Sequence, residues 1–264
     1  MNQQPVKSTA LVTGASGGIG LELAKLLARD GRDLILVARS EDKLREVAGK
    51  LAGAHEIDTH VVAADLSEPD AAKRVKERTD ETGKRVDVLV NNAGVGDYGP
   101  FAESDPERLT QMMQLNMVTL TQLARLFVED MVARGSGYIL NVASIAAFQP
   151  GPLMAVYYAS KAYVLSLSEA LAEELNEEGV SVTALCPGPT DTDFVERADM
   201  EKSKLFDRLA VMEASDVAEA GYRGMLAGKS LVIPGAANKL LAQSVRFSPR
   251  RLTAKIARKL QERE

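Results

Sequence analysis

The chain has 264 residues, of which 45% are hydrophobic and 26% are charged, and its net charge at pH 7 is −5. This length suits one large α/β domain, and the acidic balance gives no reason to expect a nucleic-acid partner. The N-terminal sequence lacks the basic region and apolar run of a signal peptide, and no apolar segment approaches the ~20 residues that span a bilayer. Cys186 is the only cysteine, so no intrachain disulfide can form, and its apolar neighbours predict a core position. We therefore expect a cytoplasmic protein.

Short runs rich in Val, Ile and Leu alternate with longer segments of helical period. The predicted strands are TALVTG, DLILVA, THVVAAD, VDVLVNNA, GYILNVAS, VSVTALCPG and SLVIPG. Helices are predicted between them, as in GLELAKLLARDG and in the long stretch from Asp105 to Arg134. Strands that are apolar along their whole length must be covered on both faces. The pattern predicts an α/β fold with a doubly wound, Rossmann-type parallel sheet of about seven strands, whose ligands bind beyond the carboxyl ends of the strands.

Residues 1–235 are assigned to a single Rossmann-fold catalytic domain, because the alternation continues through them without a break in composition. Within this domain, residues 189–212 are charged and poor in apolar side chains until Leu205, where a helix is expected to begin. We expect this segment to form a flap over the substrate site.

Residues 236–264 are assigned to a C-terminal extension, which carries eight Lys or Arg residues against two Glu. Leu252, Ile256 and Leu260 recur every fourth position beside basic side chains, which predicts a basic amphipathic helix. Two interpretations stay open: the helix docks on the body or on a second subunit, or it contacts an anionic membrane surface.

The sequence TGASGGIG (residues 13–20) follows the first strand and places Gly14, Gly18 and Gly20 where a helix begins. Glycines permit positive φ and a close approach of the backbone to a pyrophosphate, and the helix N-terminus adds free N–H groups. We therefore predict a dinucleotide site here, with Ser16 and Ile19 in the same turn. The spacing differs from GxGxxG, so the turn alone also fits an ordinary strand-to-helix connection.

The end of the second strand reads VARSED and lacks the acid that binds the ribose 2′-hydroxyl of NAD. Arg39 offers a cation suited to a 2′-phosphate instead, which favours NADP(H) over NAD(H). The structural alternative is a surface arginine before a helix that Ser40 caps, with Glu41 and Asp42 in its first turn.

The stretch YYASK (residues 157–161) places Tyr157 and Lys161 on one face of a helix, while Tyr158 points about 100° away. Tyr157 is the candidate proton donor and Tyr158 is predicted to be a packing residue. A lysine ammonium beside a phenol favours the phenolate, so we expect Lys161 to lower the pKa of Tyr157.

Taken together, these motifs resemble the short-chain dehydrogenase/reductase family over about residues 8 to 235. The matching pieces are TGASGGIG, AADL around Asp65, NNAG (residues 91–94), Asn116, Ser144, YYASK and PGPTDT (residues 187–192). The resemblance implies a catalytic tetrad of Asn116, Ser144, Tyr157 and Lys161. It also implies a cofactor site with these further members: Gly14, Ser16, Gly18, Ile19, Gly20, Arg39, Asp65, Leu66, Asn91, Ala93, Gly94, Pro187, Gly188, Thr190 and Thr192.

Each tetrad member has a chemical role and a structural alternative. Ser144 can hold a substrate carbonyl oxygen, and Tyr157 can donate the proton as hydride reaches carbon. Lys161 tunes the phenol and holds the nicotinamide ribose, and Asn116 binds a water that links Lys161 to solvent. The alternatives are a helix cap for Ser144, a core amide for Asn116 and a loop hydroxyl for Thr192.

His55 and His60 have no carboxylate or thiol pattern around them that suggests metal ligation, so no metal site is predicted. An acylating role for Ser144 is not indicated, because no GxSxG motif surrounds it.

The sequence thus predicts an NADP(H)-dependent oxidoreductase for a moderately apolar carbonyl or alcohol, of ketoacyl-reductase or hydroxysteroid-dehydrogenase type. The candidate pocket residues are Val95, Tyr98, Phe148, Gln149 and Met154, together with the flap after Pro189. The alternative is a catalytically silent NADP(H)-binding redox sensor. The family resemblance implies a homodimer or homotetramer.

Overall fold

The computed structural model describes residues 8–194, 198 and 211–262. Within them, seven strands form one parallel sheet in the order β3-β2-β1-β4-β5-β6-β7. The strands are β1 (Thr9–Thr13), β2 (Asp33–Ala38), β3 (Thr59–Ala63), β4 (Val86–Asn91), β5 (Gly137–Val142), β6 (Val180–Leu185) and β7 (Leu231–Val232). The predicted Rossmann-type sheet is confirmed.

The helices connect these strands and cover both faces of the sheet. They are α1 (Gly18–Arg29), α2 (Glu41–His55), α3 (Ala71–Asp80), α4 (Pro106–Met113), α5 (Leu120–Ala133), α6 (Ala155–Leu175), α7 (Ala214–Leu226), α8 (Ala236–Ser244) and α9 (Arg250–Gln261). Short 3₁₀ helices span Phe101–Glu103, Ile145–Phe148 and Val245–Phe247.

Alternate strand residues enter two separate apolar layers, as the pleat of a strand requires. On β1, Val12 packs with residues of α1, α2 and α7, whereas Leu11 packs with residues of α3, α5 and α6. Both side chains are fully buried. This two-sided cover explains why the strands are apolar along their whole length.

The segment predicted as one long helix from Asp105 to Arg134 is interrupted. Between α4 and α5 the chain forms a π-helical turn at Gln114–Thr119. An apolar periodicity does not reveal one extra residue in a turn, which is why the sequence predicted a continuous helix.

The C-terminal helix forms, but the predicted apolar stripe is not the face that docks. Leu252 and Ile256 are each 50% exposed, whereas Thr253 is 5% exposed and Ala257 is 2% exposed. Small side chains on the buried face allow the helix to approach the body closely, and Gln261 accepts a hydrogen bond from the Tyr98 hydroxyl and donates one to the Tyr158 hydroxyl. The side chain of Leu260 lies outside the described part of the structure.

Most of the predicted flap, residues 195–197 and 199–210 with the helix expected from Leu205, also lies outside the described residues. None of the helices in the described ranges is both long and apolar enough to cross a membrane. Cys186 is fully buried, as its neighbours predicted.

Candidate active site

The turn between β1 and α1 is built on glycines that leave no room for side chains. Gly14 has a φ of +66°, and a Cβ at this position would lie 2.6 Å from Asn92 Nδ2. A Cβ at Gly20 would overlap the Gly14 carbonyl group. Gly17 occupies the N-cap of α1, so no side chain bonds the backbone N–H groups of the first turn. These N–H groups and the positive end of the helix dipole suit a phosphate group.

Two residues that the sequence analysis did not assign hold the glycine turn against the end of β4. Thr13 Oγ1 donates to the Val90 carbonyl (3.2 Å) and accepts from the backbone N–H groups of Asn92 and Ala93 (both 3.0 Å). Asn92 Nδ2 donates to the carbonyl oxygens of Thr13 (2.9 Å) and Gly14 (3.3 Å). The available signal was that Thr13 and Asn92 are polar residues at the ends of apolar strands.

Asn91 turns its side chain into the sheet. The residue is 2% exposed, and its Nδ2 donates to Asn141 Oδ1 at 2.9 Å. Asn141 Nδ2 in turn donates to Ser168 Oγ at 3.0 Å, which ties β4 and β5 to α6. A cofactor contact at Asn91 would therefore use its backbone, whereas Ala93 and Gly94 on the following loop are partly exposed.

Arg39 and Asp65 follow neighbouring strands at the same edge of the sheet. Arg39 is exposed, and Ser67 donates to Asp65 Oδ1 from its backbone N (2.9 Å) and its Oγ (2.6 Å). Burial acts to raise the pKa of Asp65, but the bonds from Ser67 and the charge of Arg39 outweigh burial and lower this pKa. Leu66 is buried, and its carbonyl accepts from Thr119 Oγ1 at 2.8 Å.

The predicted catalytic side chains meet beyond the carboxyl end of β5. Tyr157 and Lys161 lie one turn apart on α6, with Lys161 Nζ 5.8 Å from the centroid of the Tyr157 ring. The Ser144 hydroxyl is close enough to the Tyr157 hydroxyl to act on its pKa, which it lowers. Ser144 Oγ also accepts from a backbone N–H (3.1 Å) in the 3₁₀ helix Ile145–Phe148 and donates to the Pro187 carbonyl (3.5 Å). The two interpretations of Ser144, as a helix cap and as the residue that holds a substrate carbonyl oxygen, are both compatible with this geometry.

Asn116 and Lys161 approach each other across Gly94. A Cβ at Gly94 would lie 3.3 Å from Asn116 Oδ1 and 3.4 Å from Lys161 Nζ, so a side chain at this position would crowd both atoms. Asn116 is 1% exposed and lies in the π-helical turn. Its amide bonds both backbone groups of Val95, accepting at 3.0 Å and donating at 2.9 Å. Single π-helical turns occur frequently at functional sites.

Burial dominates the electrostatics of Tyr157 and Lys161. It lowers the pKa of Lys161 to about 8, and Lys161 Nζ donates to the Val142 carbonyl at 2.8 Å. Burial raises the pKa of Tyr157 well above its usual value, although the hydrogen bond with Ser144 acts in the opposite direction. The expectation that the pKa of Tyr157 is lowered is therefore wrong. Loss of hydration penalises the phenolate, and this effect outweighs the opposing effect of Ser144.

The loop after β6 closes on the glycine turn. A Cβ at Gly18 would lie 2.9 Å from Thr192 Cγ2, so the methyl group of Thr192 packs beside the turn. Thr190 Oγ1 donates to the Gly188 carbonyl at 2.9 Å. Gly188 itself has no room for a side chain, because a Cβ would lie 2.5 Å from Asn238 Nδ2. Among the remaining predicted turn residues, Ser16 is partly exposed and Ile19 packs against the core.

An apolar cluster, which we call the mouth cluster, surrounds Tyr157 on its outer side. The rings of Tyr157 and Phe194 are 5.3 Å apart between centroids, with an interplanar angle of 45°. The members of the mouth cluster are Tyr98, Ala146, Met154, Tyr157, Tyr158, Phe194 and Ala198. Tyr158 is 6% exposed, so its predicted packing role is confirmed.

The mouth cluster contains only part of the predicted pocket. Tyr98 and Met154 belong to it, whereas Phe148 packs in a different apolar cluster with Val164 and Leu165. Val95 is held by Asn116, and Gln149 follows the 3₁₀ helix as a partly exposed residue. Phe194 belongs to the flap after Pro189, which the sequence included in the candidate pocket, and its ring lies beside that of Tyr157.

Within the described ranges, no three His, Cys, Asp or Glu side chains are grouped so that they could hold a metal ion. His60 pairs with Ile35 in the β2–β3 register, and His55 ends α2.

A doubly wound sheet with a glycine turn after β1 and a Ser-Tyr-Lys group beyond β5 defines a dinucleotide-linked oxidoreductase. The chain belongs to the short chain dehydrogenase family, whose model matches residues 8–203. The predicted family is confirmed, and its members are enzymes that act between an alcohol and a carbonyl group.

Three relatives illustrate the similarity. The chain is 32% identical over 206 residues to an uncharacterized oxidoreductase of Staphylococcus saprophyticus, covering 78% of this chain and 88% of that protein. It is 34% identical over 182 residues to the very-long-chain 3-oxoacyl-CoA reductase of Rattus norvegicus, covering 67% of this chain and 58% of that protein. A solved short-chain dehydrogenase from Sphingobium yanoikuyae, in complex with NADPH, has a TM-score of 0.81 and 33% identity, covering 94% of this chain and 98% of that chain.

Proposed function

We propose that the protein is an NADP(H)-dependent oxidoreductase that interconverts a carbonyl and a secondary alcohol and works as a reductase. The observation that carries the proposal is the grouping of Ser144, Tyr157 and Lys161, in which the Ser144 hydroxyl acts to lower the pKa of the phenol and Lys161 lies beside its ring. A hydroxyl and a phenol held together can bind a carbonyl oxygen and protonate it.

The residues at the carboxyl edge of the sheet fit a dinucleotide. The backbone around Gly14 and Gly20 is packed so closely that side chains are excluded, which leaves the N–H groups of the turn for the pyrophosphate. Asp65 and Leu66 would contact the adenine, and Thr192 would hold the nicotinamide amide. The other residues proposed to line this site are Ser16, Gly18, Ile19, Asn91, Ala93, Gly94, Pro187, Gly188 and Thr190. When bound, NADPH supplies the hydride.

Arg39 supports a preference for NADP(H) over NAD(H). It is exposed at the end of β2, where a 2′-phosphate would lie, and no acid occupies the preceding position. The similar Sphingobium yanoikuyae enzyme is known in complex with NADPH, which agrees with this proposal.

Tyr157 would act as the proton donor. Its raised pKa keeps the hydroxyl protonated at neutral pH, which suits delivery of a proton to an alkoxide that forms as the carbonyl is reduced. Ser144 Oγ would hold the same oxygen by a hydrogen bond. Lys161 would then stabilise the phenolate, and a water at Asn116 would return the proton from solvent through Lys161.

The mouth cluster favours a moderately apolar substrate. Met154, Tyr98 and Phe194 offer an apolar surface next to the Tyr157 ring. Acyl thioesters, steroids and small aliphatic ketones all meet this description. The name of the Rattus norvegicus relative, a very-long-chain 3-oxoacyl-CoA reductase, supports the ketoacyl type.

The proposal extends to the organisation of the protein. Residues 1–235 would form the catalytic domain with residues 189–212 as its flap, and residues 236–264 would form an extension. We expect a cytoplasmic homodimer or homotetramer, in which the exposed Leu252 and Ile256 side chains contact a second subunit. Contact of these residues with an anionic membrane surface is the alternative, and sedimentation with and without anionic vesicles distinguishes the two.

The experiment is NADPH oxidation, with NADH in parallel, against small diketones, acetoacetyl thioesters and ketosteroids. Turnover with NADPH and one of these classes is the expected result. NADPH binding without turnover on any carbonyl would favour the catalytically silent sensor instead.

A further inference from the structure

Gln261, in the last turn of α9, is a buried polar residue that reaches the mouth cluster from the C-terminal extension. It is 1% exposed. Its Nε2 donates to the Tyr158 hydroxyl, and its backbone carbonyl accepts from the Tyr98 hydroxyl. The side-chain oxygen Oε1 is buried and has no hydrogen-bond partner among the described residues.

We expect this amide oxygen to have a hydrogen-bond partner, because native proteins pair nearly all of their buried polar groups.

The burial of Gln261 also follows from the way in which α9 is rotated against the body. The helix leaves Leu252 and Ile256 half exposed while it buries Gln261, so the apolar side chains are not what fixes the docked face. The docked face instead carries Gln261, which is bonded to Tyr98 and Tyr158.

Both partners of Gln261 belong to the mouth cluster. Tyr158 stacks edge-on against Tyr157, with ring centroids 6.1 Å apart and an interplanar angle of 75°. Tyr98 is in the same cluster as Phe194, whose ring lies 5.3 Å from that of Tyr157. A substrate that replaces Phe194 beside Tyr157 would therefore have an apolar body near Gln261.

We propose that Gln261 forms a polar subsite of the substrate pocket, in which Oε1 accepts a hydrogen bond from a hydroxyl or N–H group on the substrate. This donor is remote from the carbonyl that reacts at Tyr157. The inference rests on the proposed function and narrows its substrate class to ketones with an apolar body and a distal hydrogen-bond donor. A ketone without the donor leaves Oε1 buried and unpaired, so the site discriminates against it.

The test uses three bicyclic ketones: a decalone with a distal hydroxyl, its methyl ether and the unsubstituted decalone. Their dissociation constants are measured by calorimetry on the NADPH-loaded Tyr157→Phe variant, in which turnover does not deplete the ligand. We expect the hydroxyl compound to bind about five- to thirty-fold more tightly than the other two, as one buried hydrogen bond allows.

When Gln261→Met is added to the Tyr157→Phe variant, the hydroxyl compound should lose its tighter binding. Gln261→Leu, added in the same way, provides a second apolar replacement. Gln243→Met is the matched control, because Gln243 is exposed on α8 and should leave the advantage intact. Circular dichroism checks that each variant is folded.

Equal binding of the three ketones, an unchanged advantage in both Gln261 variants, or no binding of any ketone would overturn the subsite. A methyl ether that binds as tightly as the hydroxyl compound would overturn the acceptor role of Oε1. Wild-type turnover of the hydroxyl decalone and of the plain decalone separates the two proposals. Turnover of both without discrimination refutes the subsite alone, whereas discrimination in binding without turnover of the hydroxyl compound refutes the reductase alone.

Discussion

Replacing Lys161 with Met should change how the stability of the cofactor-free protein depends on pH. Lys161 is 5% exposed, and burial lowers its pKa from 10.5 to about 8. Between these values the unfolded chain holds a proton on Lys161 that the folded protein has released, so stability rises with pH. At ~1.36 kcal/mol per pKa unit, the buried ammonium destabilises the folded protein by roughly 3 kcal/mol at pH 7.

Between pH 7 and 9.5, Lys161 should therefore raise the free energy of unfolding of the wild type by about 2 kcal/mol. The Lys161→Met variant should lack this rise. Burial raises the pKa of Cys186 to about 12 and also raises that of Tyr157. Each of these two groups stabilises the folded state less as the pH rises through the pKa that the group has in the unfolded chain. This trend is opposite to that of Lys161. Both groups are present in both proteins, so subtracting one pH profile from the other largely removes their effect.

The assay is urea unfolding followed by far-UV circular dichroism at pH 7 and 9.5. Lys73→Met is the control, because the Lys73 side chain is 73% exposed and its removal should leave the wild-type pH profile unchanged. Parallel profiles for the wild type and Lys161→Met would refute the burial argument.

Three further changes test other parts of the site. Tyr157→Phe should lower kcat by about 10²- to 10⁴-fold while NADPH binding persists, whereas Tyr158→Phe should change kcat little. Comparable kcat values in the two variants would overturn the assignment of Tyr157 as the proton donor. Arg39→Ala should raise the KM for NADPH by about 10- to 100-fold and leave the KM for NADH unchanged, because it removes a charge-assisted contact to the 2′-phosphate. An equal change for both cofactors would contradict recognition of the 2′-phosphate by Arg39. Gly20→Ala should lower the free energy of unfolding by about 1–3 kcal/mol, because its Cβ would overlap the Gly14 carbonyl; an unchanged urea midpoint would argue against the tight turn.

The sheet could be predicted from the sequence because strands buried on both faces are apolar throughout. Each of the seven predicted strands forms, although β7 is reduced to Leu231–Val232. The order of the motifs along the chain also placed Ser144, Tyr157 and Lys161 correctly at one edge, since parallel strands end together there.

Contacts between distant segments could not be predicted in this way. The support of the glycine turn by Thr13 and Asn92 depends on β1 and β4 being neighbours in the sheet. The docked face of α9 carries Thr253, Ala257 and Gln261, and Gln261 bonds Tyr158, which lies 103 residues earlier in the chain. Apolar periodicity within the helix indicated Leu252 and Ile256 instead.

The direction of the pKa shift of Tyr157 also could not be predicted from the sequence. Spacing on a helix places Lys161 near the phenol, but it carries no information on how much water either group loses. Desolvation is a property of the packed mouth cluster, and it outweighs the opposing effect of Ser144.

Following the hydride from NADPH to the product shows whether the protein is a reductase that uses Tyr157. NADPH deuterated at its transferable hydrogen is incubated with the ketone that shows turnover, and the alcohol is analysed by mass spectrometry. The account predicts one deuterium on the carbinol carbon with the wild type and no labelled alcohol with Tyr157→Phe. NADPH consumption without deuterium in the alcohol, or equal labelled product from the Tyr157→Phe variant, would contradict it.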